Sequence, residues 1–247
     1  MKGLISLFSI IILQFVLGAV SSPALSEELT LKAGLPPFPP FSYPNDPNKQ
    51  GVVDVIYERL GKITGVKFDV QSYPYPRVIE SMKTGLLDVA IIFKNKSIKD
   101  SVTYVAEVSK SKVIILPLKR INLKSYDDLY SLRGIAVLRN ANFESRFDSD
   151  NKINKITMVD YKQGLRMMAL GRMDAIVGSK SGLEESIKSL GIDSSKFGEP
   201  YTLSSKEWWL HVSTQSKYQH LIPELKKAVQ LIHSDNLVYS LYQEQQK

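Results

Sequence analysis

From Leu29 onward, short β-branched apolar runs alternate with segments whose apolar residues recur at helical spacing, and this alternation constrains the fold more than any other feature. Residues 29–34 alternate polar and apolar side chains and end in glycine, which predicts a strand. Val52, Val53, Val55, Ile56, Leu60 and Ile63 share a helical face, and Gly65 suits the left-handed cap that ends a helix. The sequence then predicts a strand at 66–71, a helix core at 78–83 and a strand at 89–93 that is apolar on both faces, as in buried parallel sheet. Further strands are expected at 112–118, 134–138, 156–159, 174–177 and 207–213. Helices are expected to start at Ser125 and Asn142 and to span 163–170, 181–190 and 223–233. Strands and helices in turn are the pattern of an α/β protein with parallel sheet.

The pattern contains an echo. Ser81-Met-Lys-Thr-Gly85-Leu-Leu-Asp88 and Met168-Ala-Leu-Gly171-Arg-Met-Asp174 each end a helix on glycine, pass two residues and open an apolar strand with aspartate. Glycine supplies the left-handed cap, and aspartate accepts backbone N–H groups in a tight turn. Any αβ unit can read this way. Two copies suggest two lobes of similar build.

Ahead of this region Met1-Lys2-Gly3 carries one charge, Leu4 to Val20 is almost wholly apolar, and Ala24 and Ser26 are small residues at the −3 and −1 positions of a cleavage site. That is the layout of a secretory signal peptide, residues 1–26, removed after Ser26; the alternative is a retained anchor, since ~17–25 apolar residues span a membrane. The chain has no cysteine, which excludes disulfides, thiolate metal sites, a cysteine nucleophile and a lipid-anchoring cysteine. The expected mature protein, 27–247, is soluble and periplasmic. Lys plus Arg number 32 against 25 Asp plus Glu, but this +7 excess is spread along the chain. It reads as solvated faces, with no nucleic-acid or membrane partner.

Catalysis finds little support. His211, His220 and His233 lack ligand-spaced partners, so surface or cap roles are expected and no metal or other cofactor. No Gly-x-Ser-x-Gly elbow, Walker loop or His-Glu-x-x-His occurs, and Glu144 and Asp148 fit a solvated helix face. Of Trp208 and Trp209, one is expected to be buried and the other half-exposed.

Leu35-Pro-Pro-Phe-Pro-Pro-Phe-Ser-Tyr followed by Gly51, Tyr73-Pro-Tyr-Pro-Arg77 leading to Gly85-Leu-Leu-Asp88, Tyr126-Asp-Asp-Leu129 leading to Gly134-Ile-Ala-Val, and Ala169-Leu-Gly-Arg-Met-Asp-Ala175 follow one another in a telling order. From about Leu29 to Tyr242 the chain thereby resembles the bacterial extracellular solute-binding proteins of family 3, the group that holds the polar amino-acid receptors of ABC transporters. The resemblance implies a two-lobe type II periplasmic binding protein fold of the α/β class, with lobe one at 27–114 and 204–247 and lobe two at 119–199. Two hinge strands near 115–118 and 199–203 would join them, and a small-molecule solute would bind in the cleft. The partner would be an ABC permease or a sensor kinase, and the protein a monomer and not an enzyme. The alternatives are an enzyme on the same fold, as the cyclohexadienyl dehydratases are, and an interaction module whose cleft has decayed.

In open α/β sheets ligands sit at the carboxyl ends of the strands. The loop after the first strand brings Phe38, Phe41 and Tyr43 to that edge, each to face a ligand or to pack. Tyr75 and Arg77 follow the second strand, and Arg77 either forks onto an anion or, the preferred reading, stitches loop to helix. Arg139, Asn140 and Asn142, between a strand and a helix start, form an anion or polar site or simply a solvated loop. The chain departs from the family where the resemblance places the ligand's anchors. The arginine that holds an α-carboxylate falls on Asp100 in Ser97-Ile-Lys-Asp100, with Lys99 one residue away. The aspartate that holds the ammonium is Ser179, which can bond a cation but not neutralise it. The expected ligand is therefore small and polar, anionic or amino-acid-like.

Overall fold

The computed structural model describes residues 29–46, 48–139 and 141–247. The signal-peptide reading of 1–26 and the site candidate Asn140 lie outside them. The elements are β1 (Thr30–Leu35), α1 (Val52–Thr64), β2 (Lys67–Ser72), α2 (Tyr75–Thr84), β3 (Val89–Phe93), β4 (Val102–Pro117), β5 (Ile135–Leu138), α3 (Ser145–Ser149), β6 (Lys155–Met158), α4 (Tyr161–Ala169), β7 (Ala175–Ser179), α5 (Lys180–Ser189), β8 (Tyr201–Ser213), α6 (Ile222–Ile232) and α7 (Leu237–Glu244). Among the described residues no helix is long and apolar enough to cross a membrane.

Local chemistry sets most boundaries. The carboxylate of Asp54 accepts the N–H of Gly51 at 3.0 Å and opens α1, whose Val52, Val53, Ile56, Tyr57 and Leu60 are buried. Gly65, at φ +70°, closes it. The helix expected from Ser125 is instead a 3₁₀ turn, Tyr126–Ser131, opened by Asp128, which accepts the N–H groups of Lys124 and Ser125 at 2.8 Å each.

The strands form one sheet in the order β2-β1-β3-β8-β4-β7-β5-β6. β2, β1 and β3 are parallel at one end, and β7, β5 and β6 are parallel at the other. Antiparallel β4 and β8 run between them, β8 pairing with β3 over Trp208–Val212 and β4 with β7 over Val113–Pro117. Between these ladders, residues 110–112 and 205–207 pair with each other in a two-stranded neck. The strands expected at 112–118 and 207–213 are thus the far ends of strands of 16 and 13 residues. Their remaining halves hide from pattern reading: three register shifts break the alternation of β4, and the first part of β8 is a largely polar edge strand.

Each end of the sheet is covered on both faces. At the β1 end, α1, α6 and α7 cover one face with Ile56, Leu60, Val229 and Val238, while α2 covers the other with Val78 and Met82. At the β5 end, α4 and α5 cover one face with Leu165 and Leu183, while Leu129 and Phe147 cover the other. We call these the first and second halves.

Candidate functional site

The echoed aspartates prove to be braces at the amino ends of their strands. Asp88 accepts the N–H of Lys32 at 2.9 Å and the hydroxyl of Ser216 at 2.6 Å. Asp174 accepts the N–H of Arg133 at 2.9 Å and the guanidinium groups of Arg133 and Arg120, which hold its carboxyl below the usual carboxylate range. Both lie 9% exposed or less, so their chemistry is spent on structure. The candidate groups gather at the opposite, carboxyl ends.

In the first half that edge is an aromatic and cationic rim. Tyr75 is on the first turn of α2, and its phenol oxygen accepts the side-chain N–H of Asn95 at 3.0 Å. The Asn95 carbonyl in turn accepts the phenol of Tyr104 at 2.7 Å. Lys94 places its ammonium 3.9 Å from the ring centre of Trp209, whose indole N–H donates to Glu207 at 2.8 Å. Arg77 stacks over Tyr73 at 4.4 Å, a contact that joins helix to loop as preferred from the sequence. Lys99 closes the 3₁₀ turn Lys96–Ile98 with its side chain exposed. Sequence reasoning missed Lys94, Asn95 and Trp209. The Trp208-Trp209 pair was the visible signal, and the structure buries Trp208 and half-exposes Trp209.

The loop after β1 divides its aromatics. Phe41 is buried in the first-half core, 4.8 Å from Trp208, so its ring offers no face to a ligand. Phe38 packs against both halves and meets Tyr161 of α4 edge-on at 4.9 Å. Tyr43 is half-buried beside Glu185 of α5, and burial followed by that carboxyl pushes its phenol pKa up.

In the second half, Tyr161 sits where glycine makes room. A Cβ on Gly178 would lie 2.5 Å from its ring, and one on Gly182 would lie 2.7 Å away. The Tyr161 phenol oxygen accepts the N–H of Ser179 at 2.9 Å. Ser179 is 5% exposed, its hydroxyl buried beside the Tyr161 phenol. Arg139 and Asn142 are exposed, with the Arg139 N–H fixed to the Met158 carbonyl at 3.0 Å. Arg77, Lys99 and Arg139 have no ion-pair partner among the described residues. Phe38 and Ser179 are thus brought together through Tyr161, Tyr75 and Arg77 share the first-half rim, and Arg139 and Asn142 share the second-half edge.

Two expectations are corrected. Glu144 and Asp148 are not merely solvated: Glu144 accepts the N–H groups of Arg146 and Phe147 at 2.9 Å each, and Asp148 accepts that of Phe143 at 3.0 Å. These bonds open α3, and those to Glu144 lower its pKa. His211 is not a surface residue but fully buried on β8, where desolvation lowers its pKa to about 4. His233 does acquire company, since Glu107 and Asp235 lie around it. The ammonium of Lys110, 3.0 Å from Asp235 and 3.6 Å from Glu107, already provides that cluster's cation.

No family model matches the chain. The probable amino-acid-binding protein YxeM of Bacillus subtilis (strain 168) is 28% identical over 169 residues, which span 65% of this chain and 63% of that protein. Among solved structures, a double mutant of the Bordetella pertussis BvgS VFT2 domain superposes with a TM-score of 0.70 at 17% identity, covering 87% of this chain and 92% of that one. An ancestral arginine-binding protein bound to arginine gives 0.67 at 19%, covering 87% and 97%. The GluR0 ligand-binding core from Nostoc punctiforme in complex with L-glutamate gives 0.66 at 16%, covering 87% and 98%. At these identities the likeness is one of fold.

Proposed function

This chain has the two-lobe fold of type II periplasmic binding proteins, and on that premise we propose that it is a receptor for a small polar solute. The solute binds between the carboxyl ends of the two halves and leaves unaltered. The division into 27–114 with 204–247 and 119–199 is retained in this reading, but the bend expected at 115–118 and 199–203 is moved to the neck at 110–112 and 205–207, because Ile115–Pro117 pair with β7 inside the second half. Capture in the periplasm serves delivery to an ABC permease or a sensor kinase, and the working unit is the monomer.

The observation that carries the reading is the fate of the charges. Arg77, Lys99 and Arg139 are unpaired on the edges of both halves, whereas the neighbouring carboxylates Glu144, Asp148 and Glu207 are engaged in caps and an indole bond. An anionic group suits such an edge, and closure strengthens each contact by removing water. Ser179, buried beside the Tyr161 phenol, brings no charge to this edge, so a solute with an obligatory ammonium is disfavoured.

Mass spectrometry of solutes released from the purified protein, followed by thermal-shift screening with anionic metabolites, tests this. A true ligand at about 100 times its dissociation constant adds ~2.7 kcal/mol of stability. Lys99→Ala and Arg139→Ala are each expected to weaken binding about tenfold, the loss of one charge-assisted contact. Unchanged affinity in both variants would overturn the anionic reading. A broad panel without any shift would overturn the receptor itself.

A further inference from the structure

We propose that Glu107, His233 and Asp235 form a site for a divalent transition-metal ion, Zn²⁺ above all, which displaces the Lys110 ammonium and fixes the corner between α6 and α7 to β4. Each residue offers one ligating atom, and the three atoms lie within 4.8 Å of one another. The sequence conceals the set, because Glu107 and His233 stand 126 positions apart and meet only through the fold. The site belongs to the first half and shares no residue with the solute edge proposed above.

Two observations beyond proximity point to a metal ion. The first is the setting of the imidazole. Nδ1 of His233 lies 2.9 Å from the Glu107 backbone carbonyl oxygen, which can only accept, so Nδ1 carries the proton. In the neutral ring the lone pair of Nε2 is then left facing Asp235, whose Oδ1 is 3.8 Å away. Two acceptors so placed repel unless a cation lies between them, and a ring N–H held by a backbone carbonyl is the arrangement that orients a metal-bound histidine. The second observation is Glu107 Oε1, which is sealed from solvent and has no hydrogen-bond partner among the described residues. The Lys110 ammonium, 3.6 Å away, is beyond hydrogen-bond reach. The charge balance agrees. Two carboxylates meet one ammonium, so the cluster stays negative with Lys110 in place and more so once its flexible side chain swings out to water. One imidazole nitrogen and two carboxylate oxygens suit Zn²⁺, with water as a fourth ligand. His233 and Asp235 are exposed and free to rotate toward metal bonds of about 2.0–2.2 Å.

Isothermal titration of the full, untagged protein with Zn²⁺, after treatment with a chelator, tests the site. Saturable one-to-one binding is expected, and Co²⁺ in its place should give the visible absorption of a four-coordinate nitrogen and oxygen site. His233→Ala and Glu107→Gln should each weaken binding at least about tenfold while melting normally without metal. Lys110→Ala, which removes the competing ammonium, should strengthen it. His220→Ala, which alters another exposed histidine, should leave it unchanged. Absence of saturable Zn²⁺ binding by the unaltered protein, full binding by His233→Ala, or weaker binding by Lys110→Ala would overturn the proposal. Ca²⁺ bound as tightly as Zn²⁺ would overturn the role given to the imidazole.

Discussion

At the scale of single residues, the two aspartate turns are the most exposed to test. Each carboxylate is buried and satisfies a backbone N–H from another segment, Lys32 for Asp88 and Arg133 for Asp174. Removing such an acceptor strands a donor, so Asp88→Ala and Asp174→Ala are each expected to cost about 2–3 kcal/mol in urea unfolding. His211 makes a second prediction. It is neutral when folded, with its pKa lowered from 6.5 to about 4, so the unfolded chain binds the extra proton between those values. Stability therefore falls as pH drops from about 6.5 to about 4, and the His211 contribution amounts to about 3 kcal/mol. Denaturant midpoints measured across that window should lose this part of their slope in His211→Asn. Asp174 acts further down: its folded pKa is depressed, so its contribution is lost as pH falls through the lowered value.

At the scale of elements, most of the chain was legible because local rules and tertiary context agree. The reading of β3 coincides with the strand, α1 and α5 lie within a residue or so of it, and the glycine caps at Gly65, Gly85, Gly171 and Gly191 all take positive φ. The misses have particular causes. The first part of β4 is broken by bulges near Ala106 and Ser109, and the first part of β8 is a largely polar stretch, Tyr-Thr-Leu-Ser-Ser-Lys-Glu, paired on one side with β4. The site was less legible than the fold. Phe38 meets Tyr161, and Lys94 meets Trp209, through contacts that span more than a hundred residues and leave no local spacing to detect. The bed of Tyr161 gives this scale its prediction. Gly182→Ala would set a methyl 2.6 Å from the Ser179 oxygen and 2.7 Å from the ring, and so is expected to destabilise by about 1–3 kcal/mol. A thermal melt unchanged from that of the parent would refute the packing assigned to Tyr161.

At the scale of the whole molecule, the halves touch outside the neck as well. Phe38 reaches Tyr161, and the Tyr239 phenol lies 3.3 Å from Glu184. Phe38→Ala should loosen this contact and, if binding proceeds through closure, weaken solute affinity more than it lowers the melting temperature. Small-angle scattering with and without solute would register the accompanying expansion, and equal profiles for parent and variant would argue against Phe38 as a closing contact.

The order in which the chain is synthesised meets the sheet at an awkward place. β3, Val-Ala-Ile-Ile-Phe, waits for a neighbour encoded more than a hundred residues later, because β8 is its partner. A nascent polypeptide halted before Tyr201 would leave that sticky flank bare, a template for aggregation rather than a stable fragment. Completion of the first half is thereby deferred until β8 has been synthesised, and a product truncated before it should be found with chaperones or in inclusion bodies.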